Sequence, residues 1–248
     1  MKRNLKVKTT ICIADIPIEI ETYTGSVPKT FRLFATDRAP EFSVAVSAED
    51  IALEQVKARK ECELEGLLYP DYSPEELEST AIHRKIAGKM PDYDALVFHG
   101  SAVAVGEKAY LFTARSGTGK TTHTNLWLKN ILGSYVVNGD KPILRIMDGK
   151  VFVCGTPWMG KEAMGCSNNV PLEGLCILHR GAENRIIPVD FPKVMPILYG
   201  QTYRPPDRIA LVKTMKLIER LAEKVSLYEL SCNMEDEAAI VSSRGMIK

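Results

Sequence analysis

The sequence predicts an α/β protein: a core with a mixed sheet built around a glycine-rich loop, preceded by a small, mostly β N-terminal unit. Three observations carry this. Short alternating stretches rich in β-branched residues recur along the chain. A glycine-rich loop sits between an apolar strand and a helix. The two strands just before that loop are joined by so short a turn, Gly106-Glu107, that they must be antiparallel. The boundary is placed to give an N-terminal unit over 1–92 and a core over 93–248.

Residues 5–22 alternate apolar and polar side chains and read as two short strands turning near Asp15–Pro17. Phe42-Ser-Val-Ala-Val is a third strand. The charged 49–65 segment continues the unit without a clear period, and its glutamates Glu49, Glu54, Glu61, Glu63 and Glu65 read as a solvated face. Ser73-Pro74-Glu75-Glu76 opens a helix, with a capping serine, proline at the first helical position and glutamate three residues after the cap. That helix ends near Gly88, and Pro91-Asp-Tyr-Asp is a linker.

Ala95–Val105 reads as one nearly continuous apolar strand and Lys108–Thr113 as the next, running straight into the loop and a helix from about Gly119. Ser134–Asn138 is another strand. Pro142–Ile146 and Val151–Cys154 form a hairpin over Asp148-Gly149. Pro171–Leu178 and Asn184–Val189 are further strands. Ile209, Val212, Met215, Ile218, Leu221, Ala222 and Val225 mark one apolar face of a helix, with Met195 and Met215 reading as core.

Composition excludes several classes. Lys and Arg number 32 against 31 Asp and Glu, and a net charge of +1 gives no field to draw in nucleic acid or an anionic membrane. No apolar run approaches the roughly 18 residues that span a bilayer. The 6 cysteines include no CxxC pair, so zinc-ribbon and thioredoxin-type motifs are absent. Met1-Lys-Arg-Asn leads into alternation, not a continuous apolar stretch, and free thiols in a reducing cytoplasm are the expectation.

The strongest signal is Ala114-Arg-Ser-Gly-Thr-Gly-Lys-Thr-Thr122 in a strand–loop–helix context. In a phosphate-binding loop of this kind, backbone N–H groups of Ser116, Gly117, Thr118 and Gly119 turn toward a phosphate chain. Lys120 reaches the β- and γ-phosphates, the Thr121 hydroxyl sits on Mg²⁺, and Thr122 continues into a helix whose positive end faces the anion. Ala114 stands where the usual pattern has its first glycine. An ordinary glycine turn with an exposed lysine is the alternative. Asn138-Gly139-Asp140 follows an apolar strand, which places Asp140 to hold Mg²⁺ directly or through water; a plain turn-forming cluster is the alternative there.

The antiparallel hairpin, His99-Gly100 on its first strand, Ser116-Gly-Thr-Gly-Lys-Thr-Thr and the short hop to Gly139-Asp140 together resemble the HPr kinase/phosphorylase family. The loop is also similar to that of phosphoenolpyruvate carboxykinase, which shares the fold. Gly155-Thr-Pro-Trp-Met-Gly-Lys161 and Pro171-Leu-Glu-Gly-Leu look like HPr-kinase-related proteins of bacteria, so the resemblance spans about residues 95–190. It implies transfer of the γ-phosphoryl group of ATP, with Mg²⁺, to a serine hydroxyl, and the reverse phosphorolysis. It matches the family's histidine before the loop with His99. Relatives carry two adjacent aspartates where this chain has Asp140 flanked by Gly139 and Lys141. The departure leaves two readings open: a kinase of a serine or other hydroxyl in a protein, peptide or small molecule, and a nucleotide-gated binding module that does not transfer phosphate. The chain looks short for a carboxykinase-like decarboxylation enzyme. Partners expected are ATP, a hydroxyl-bearing acceptor and further copies of the chain.

Beyond the loop, Asp140, His99 and Lys161 are the candidate catalytic residues. His99 on an apolar strand is otherwise a buried structural histidine, and Lys161 otherwise a solvated one. The glycine-flanked stretch Gly155–Lys161 is the expected acceptor loop, with Trp158 as an apolar contact and Gly155 and Gly160 giving it freedom. Arg180 is a weaker candidate phosphate contact.

Overall fold

The structure, a computed structural model, describes residues 6–115 and 117–247. The chain divides into two units, Met1–Ala87 and Gly88–Lys248.

In the first unit, β1 (Val7–Ile13) and β2 (Ile16–Thr22) pair antiparallel outward from Ile13 and Ile16. Ala14 and Asp15 between them have φ of 53° and 60°, the two-residue turn whose twist matches its strands. β3 (Phe42–Ala45) adds parallel to β2. The segment that showed no period is an 18-residue helix, α1 (Ala48–Glu65). Its signal is local: the Asp50 N–H donates to Ser47 Oγ while the Ser47 N–H donates to the Asp50 carboxylate, and Gly66 ends it in the left-handed region. No apolar stripe marks it because Leu53, Val56 and Leu64 are exposed. The glutamates are not one solvated face either. Glu54 is 5% exposed, its carboxylate held by Lys57 at 2.8 Å and Arg84 at 2.7 Å. A helix face buried through an ion pair has no hydrophobic period to read. α2 (Pro74–Lys89) carries the capping box its sequence announces, Glu76 N–H to Ser73 Oγ at 3.2 Å and Ser73 N–H to the Glu76 carboxylate at 2.8 Å. Among its described residues the unit thus holds two α-helices, a short 3-10 turn at Lys29–Phe34 and three strands, where one helix was expected.

The second unit is a mixed sheet covered on both faces. Its strands are β4 (Ala95–Val97), β5 (Ser101–Val105), β6 (Lys108–Thr113), β7 (Ser134–Asn138), β8 (Ile143–Met147), β9 (Lys150–Cys154), β10 (Asn169–Arg180), β11 (Arg185–Pro188) and β12 (Ser226–Cys232). Among the described residues they run in the order β4-β8-β9-β10-β6-β5-β7, with β12 beside β10 and β11 beside β12. β10 is parallel to β6 and β12, and the other pairings are antiparallel. α3 (Lys120–Asn130) and α6 (Asp236–Met246) cover one face, packing Trp127 and Met246 on Tyr110, Phe112 and Leu230. α4 (Phe191–Gln201) and α5 (Arg208–Ala222) cover the other, setting Leu198, Leu217, Ile218 and Leu221 on Leu96, Phe98, Leu111 and Leu175. This is the layered solution open to a sheet with two apolar faces.

Two readings change here. The stretch Ala95–Val105 is two strands, not one. β4 pairs with β8 and β5 with β6 and β7, because Phe98-His99-Gly100 breaks between them. Gly100 passes so close to β6 that a Cβ would sit 2.9 Å from the Phe112 carbonyl oxygen. On α5, Ile209, Val212 and Met215 are exposed, as is Met195 on α4. The helix packs on the sheet only from Thr214 onward, so the apolar face runs past the surface it covers. None of the six cysteines, all of them among the described residues, forms a disulfide.

Candidate functional site

The strand directions bring the site together. β5 is antiparallel to both of its neighbours, so β6 and β7 point the same way and end on one edge, where β5 begins. Ser101 pairs with Phe112, and Ala102 with Asn138. His99 before β5, the loop after β6 and Asp140 after β7 therefore share that edge, although they span some 40 residues of chain.

The loop leads into α3 with Gly117 at φ 75° and Gly119 at φ 119°, conformations open to glycine at little cost. Ala114 has no positive φ, which is why alanine serves where a glycine is usual. The Thr118 N–H and Oγ1 both donate to the Arg115 carbonyl, at 3.2 and 2.8 Å. Gly119 caps α3 without a side-chain hydrogen bond, and the first turn holds no acidic residue. The turn's backbone donors and the positive helix end are thus left for an anion from outside. The Lys120 ammonium bonds the Ala114 carbonyl at 3.4 Å. Burial pulls its pKa below the usual lysine range, the charge of Asp140 opposing this and that of Lys141 adding to it. Ser116 lies outside the described residues.

α3 is pinned from beneath. Ser242 Oγ on α6 donates to the Ala239 carbonyl at 3.0 Å and accepts from Trp127 Nε1 at 2.8 Å. His123 Nε2 lies 3.1 Å from the same oxygen. With the Ser242 proton on the Ala239 carbonyl, His123 would donate from Nε2; in the other tautomer Nε2 accepts the Ser242 proton instead. Its Nδ1 is buried with no partner, and burial lowers its pKa to about 4.

Asp140 sits on a second pinned platform. Asn138, fully buried, accepts at Oδ1 from the N–H groups of Asp140 and Lys141, at 2.9 and 2.8 Å. Its amide donates to the Thr156 carbonyl and Oγ1, and Thr156 Oγ1 donates to the Lys141 carbonyl at 2.8 Å. The carboxylate itself meets Lys141 Nζ at 3.1 and 3.0 Å and His99 Nε2 at 3.3 Å. Burial pushes the Asp140 carboxyl up, but the hydrogen bond from His99 and the charge and hydrogen bonds of Lys141 outweigh it and hold the pKa at about 2.

Asp140 and His99 share one cleft of about 520 Å³ with the loop residues, whereas Asn138, Lys141 and Thr156 are not among its lining residues. Gly117, Lys120, Thr121 and Thr122 form one wall; Asp140, His99 and the loop tip Gly160-Lys161-Glu162 contribute others. Lys161 is thus brought to the site. Trp158 is half-buried and not among the cleft-lining residues; its carbonyl accepts from the Lys141 N–H at 3.2 Å. Met159 and Met164 line the cleft instead. Gly155 is not a hinge: a Cβ there would lie 1.7 Å from the Cys166 carbonyl oxygen, so glycine serves close approach. Arg180 is not in the cleft wall but donates to the Gly117 and Thr118 carbonyls, bracing the loop. Sequence reasoning passed over Lys141, Asn138 and Thr156. Only the Asn-Gly-Asp-Lys run after a strand hinted at the first two, and nothing local marked Thr156.

The residues present fit Mg²⁺ with a triphosphate. No group of three or more His, Cys, Asp or Glu among the described residues is placed to hold a metal. The cleft is lined by the carboxylates of Asp140 and Glu162 and the hydroxyl residues Ser101, Thr121 and Thr122, an oxygen set suited to a cation that keeps waters and takes its other ligands from phosphates. No helix among the described residues is long and apolar enough to cross a membrane.

No protein-family profile matches the chain, and no curated protein matches it. Among solved structures it is similar to the Hpr(Ser) kinase/phosphatase from Coxiella burnetii, at 14% identity over 50% of this chain and 96% of that one, with a TM-score of 0.27. A likeness so distant transfers neither a residue role nor an activity.

Proposed function

We propose that the chain is an ATP- and Mg²⁺-dependent phosphotransferase, a kinase of a serine or other hydroxyl in a protein, peptide or small molecule. One observation supports it above the rest: a single cleft sets the uncapped N-terminus of α3 and Lys120 against an ionised carboxylate held by two basic side chains. Thr121 and Asp140 would hold the metal, which supplies charge neutralisation at the phosphates. Lys120 and the loop N–H groups bind and orient the triphosphate. Phosphoryl transfer through a loose transition state depends chiefly on positioning and charge neutralisation. A carboxyl held at about 2 is a weak proton acceptor, so Asp140 serves as ligand and orienting acceptor more than as a strong base. Lys161 at the rim would neutralise charge on the moving group.

A second reading, a nucleotide-gated binding module, draws on the ion pair that covers both oxygens of Asp140. Calorimetric ATP binding and timed ATP consumption with hydroxyl acceptors, in wild type and Lys120→Ala, test both. Loss of the ammonium should weaken binding about tenfold to a hundredfold, the worth of a charged hydrogen bond. An unchanged dissociation constant refutes the triphosphate site. Lys120-dependent binding with no turnover for any acceptor favours the binding module.

A further inference from the structure

We propose that Lys141 is a displaceable counter-ion that closes the Asp140 carboxylate to a divalent cation until a nucleotide's phosphates draw the ammonium away. The inference rests on reading this cleft as a triphosphate site. It follows from what can and cannot move around Asp140.

The backbone at Lys141 is fixed on three sides. Its N–H donates to Asn138 Oδ1 at 2.8 Å and to the Trp158 carbonyl at 3.2 Å, and its carbonyl accepts from Thr156 Oγ1 at 2.8 Å. Asp140 is held the same way, its N–H on Asn138 Oδ1 and its carbonyl accepting from the Gly100 N–H at 3.0 Å. The Lys141 side chain is the mobile part: a flexible four-carbon stem, partly exposed, whose ammonium spans both carboxylate oxygens at 3.1 and 3.0 Å. His99 lies against Oδ1 as well. A divalent cation approaching this carboxylate meets an ammonium already seated on it, and like charges at such range in a partly buried site repel strongly. An arriving triphosphate changes that balance. It brings several negative charges into a cleft lined by Asp140, Lys120 and Lys161, beside the Lys141 ammonium that sits on Asp140 and whose charge already acts on Lys120. The carboxylate is then free for the metal that accompanies the phosphates. Metal and nucleotide enter together, and the free protein offers the metal little.

The test uses Mn²⁺ as a spectroscopic probe, with binding to the nucleotide-free protein measured by electron paramagnetic resonance and ATP binding measured by calorimetry with and without metal. Lys141→Met should bind Mn²⁺ about tenfold tighter than wild type without nucleotide. The metal-dependent enhancement of ATP binding should shrink by about the same factor, since the coupling is reciprocal. Lys141→Arg, which keeps the charge and the reach, should stay near wild type in both. Equal Mn²⁺ affinity of nucleotide-free wild type and Lys141→Met overturns the proposal. So does a gain that persists in Lys141→Met/Asp140→Asn, because the cation would then be binding elsewhere. An ATP dissociation constant unchanged by Lys120→Ala fails the triphosphate reading itself, an outcome separate from either of these.

Discussion

Acidification should destabilise the second unit through one histidine. His123 is buried beneath the loop helix with Nε2 3.1 Å from Ser242 Oγ, and its Nδ1, which must carry a proton in the charged form, has no hydrogen-bond partner. Its pKa falls from 6.5 to about 4 by desolvation. Between those values the unfolded chain binds the proton and the folded chain does not, so the stability is fully present above the unfolded pKa and drains away as pH falls through the folded one. The shift corresponds to about 3 kcal/mol in all, of which about 2.5 kcal/mol is lost between about pH 7.5 and about pH 4.5. Urea unfolding followed by tryptophan fluorescence suits the measurement, because both tryptophans, Trp127 and Trp158, belong to the second unit. Other groups also titrate, so the quantity to read is the difference between wild type and His123→Gln, whose amide can still donate to Ser242 but does not ionise. The variant should lose less stability on acidification, by about the stated amount. Parallel stability curves over that range would refute the argument and mean that His123 finds an acceptor or water when protonated.

Two further outcomes test the site's construction. Gly155→Ala should destabilise the second unit by about 3 kcal/mol, because its Cβ meets a backbone carbonyl that cannot step aside, whereas Gly88→Ala, with open space around it, should be neutral or mildly stabilising. Urea midpoints for the two compare them directly, and a wild-type midpoint for Gly155→Ala would show that the loop is free to shift. Lys161→Ala should lower phosphoryl transfer about tenfold while leaving the ATP dissociation constant within about twofold, since the charge it meets develops only on the way to the transition state; equal losses in both would make Lys161 a simple ground-state contact.

Most of what the chain states about itself is local. Turn chemistry placed the Asp148-Gly149 hairpin, with φ of 48° and 76° at its two residues. A capping box announced α2, and Gly-Thr-Gly-Lys-Thr-Thr announced a loop between strand and helix, because each of these depends only on residues within a few positions. α1 carried a capping box too, but its inward face is held by Glu54 with Arg84 from another helix, and such a partner leaves no trace in hydrophobic period. On α5 the period was real and still misled, since Ile209, Val212 and Met215 extend beyond the sheet. The site shows the same division. The sequence supplied Lys120, Thr121, His99 and Asp140 as separate candidates. Only the order β6-β5-β7, with β5 reversed between two parallel neighbours, put them on one edge. Only packing gave Asn138 and Thr156 their work beneath Asp140 and laid the Lys141 ammonium over it. Local sequence sets backbone dihedrals residue by residue; which carboxylate meets which ammonium is settled by pairings far apart in the chain, where burial makes an unpartnered polar group costly.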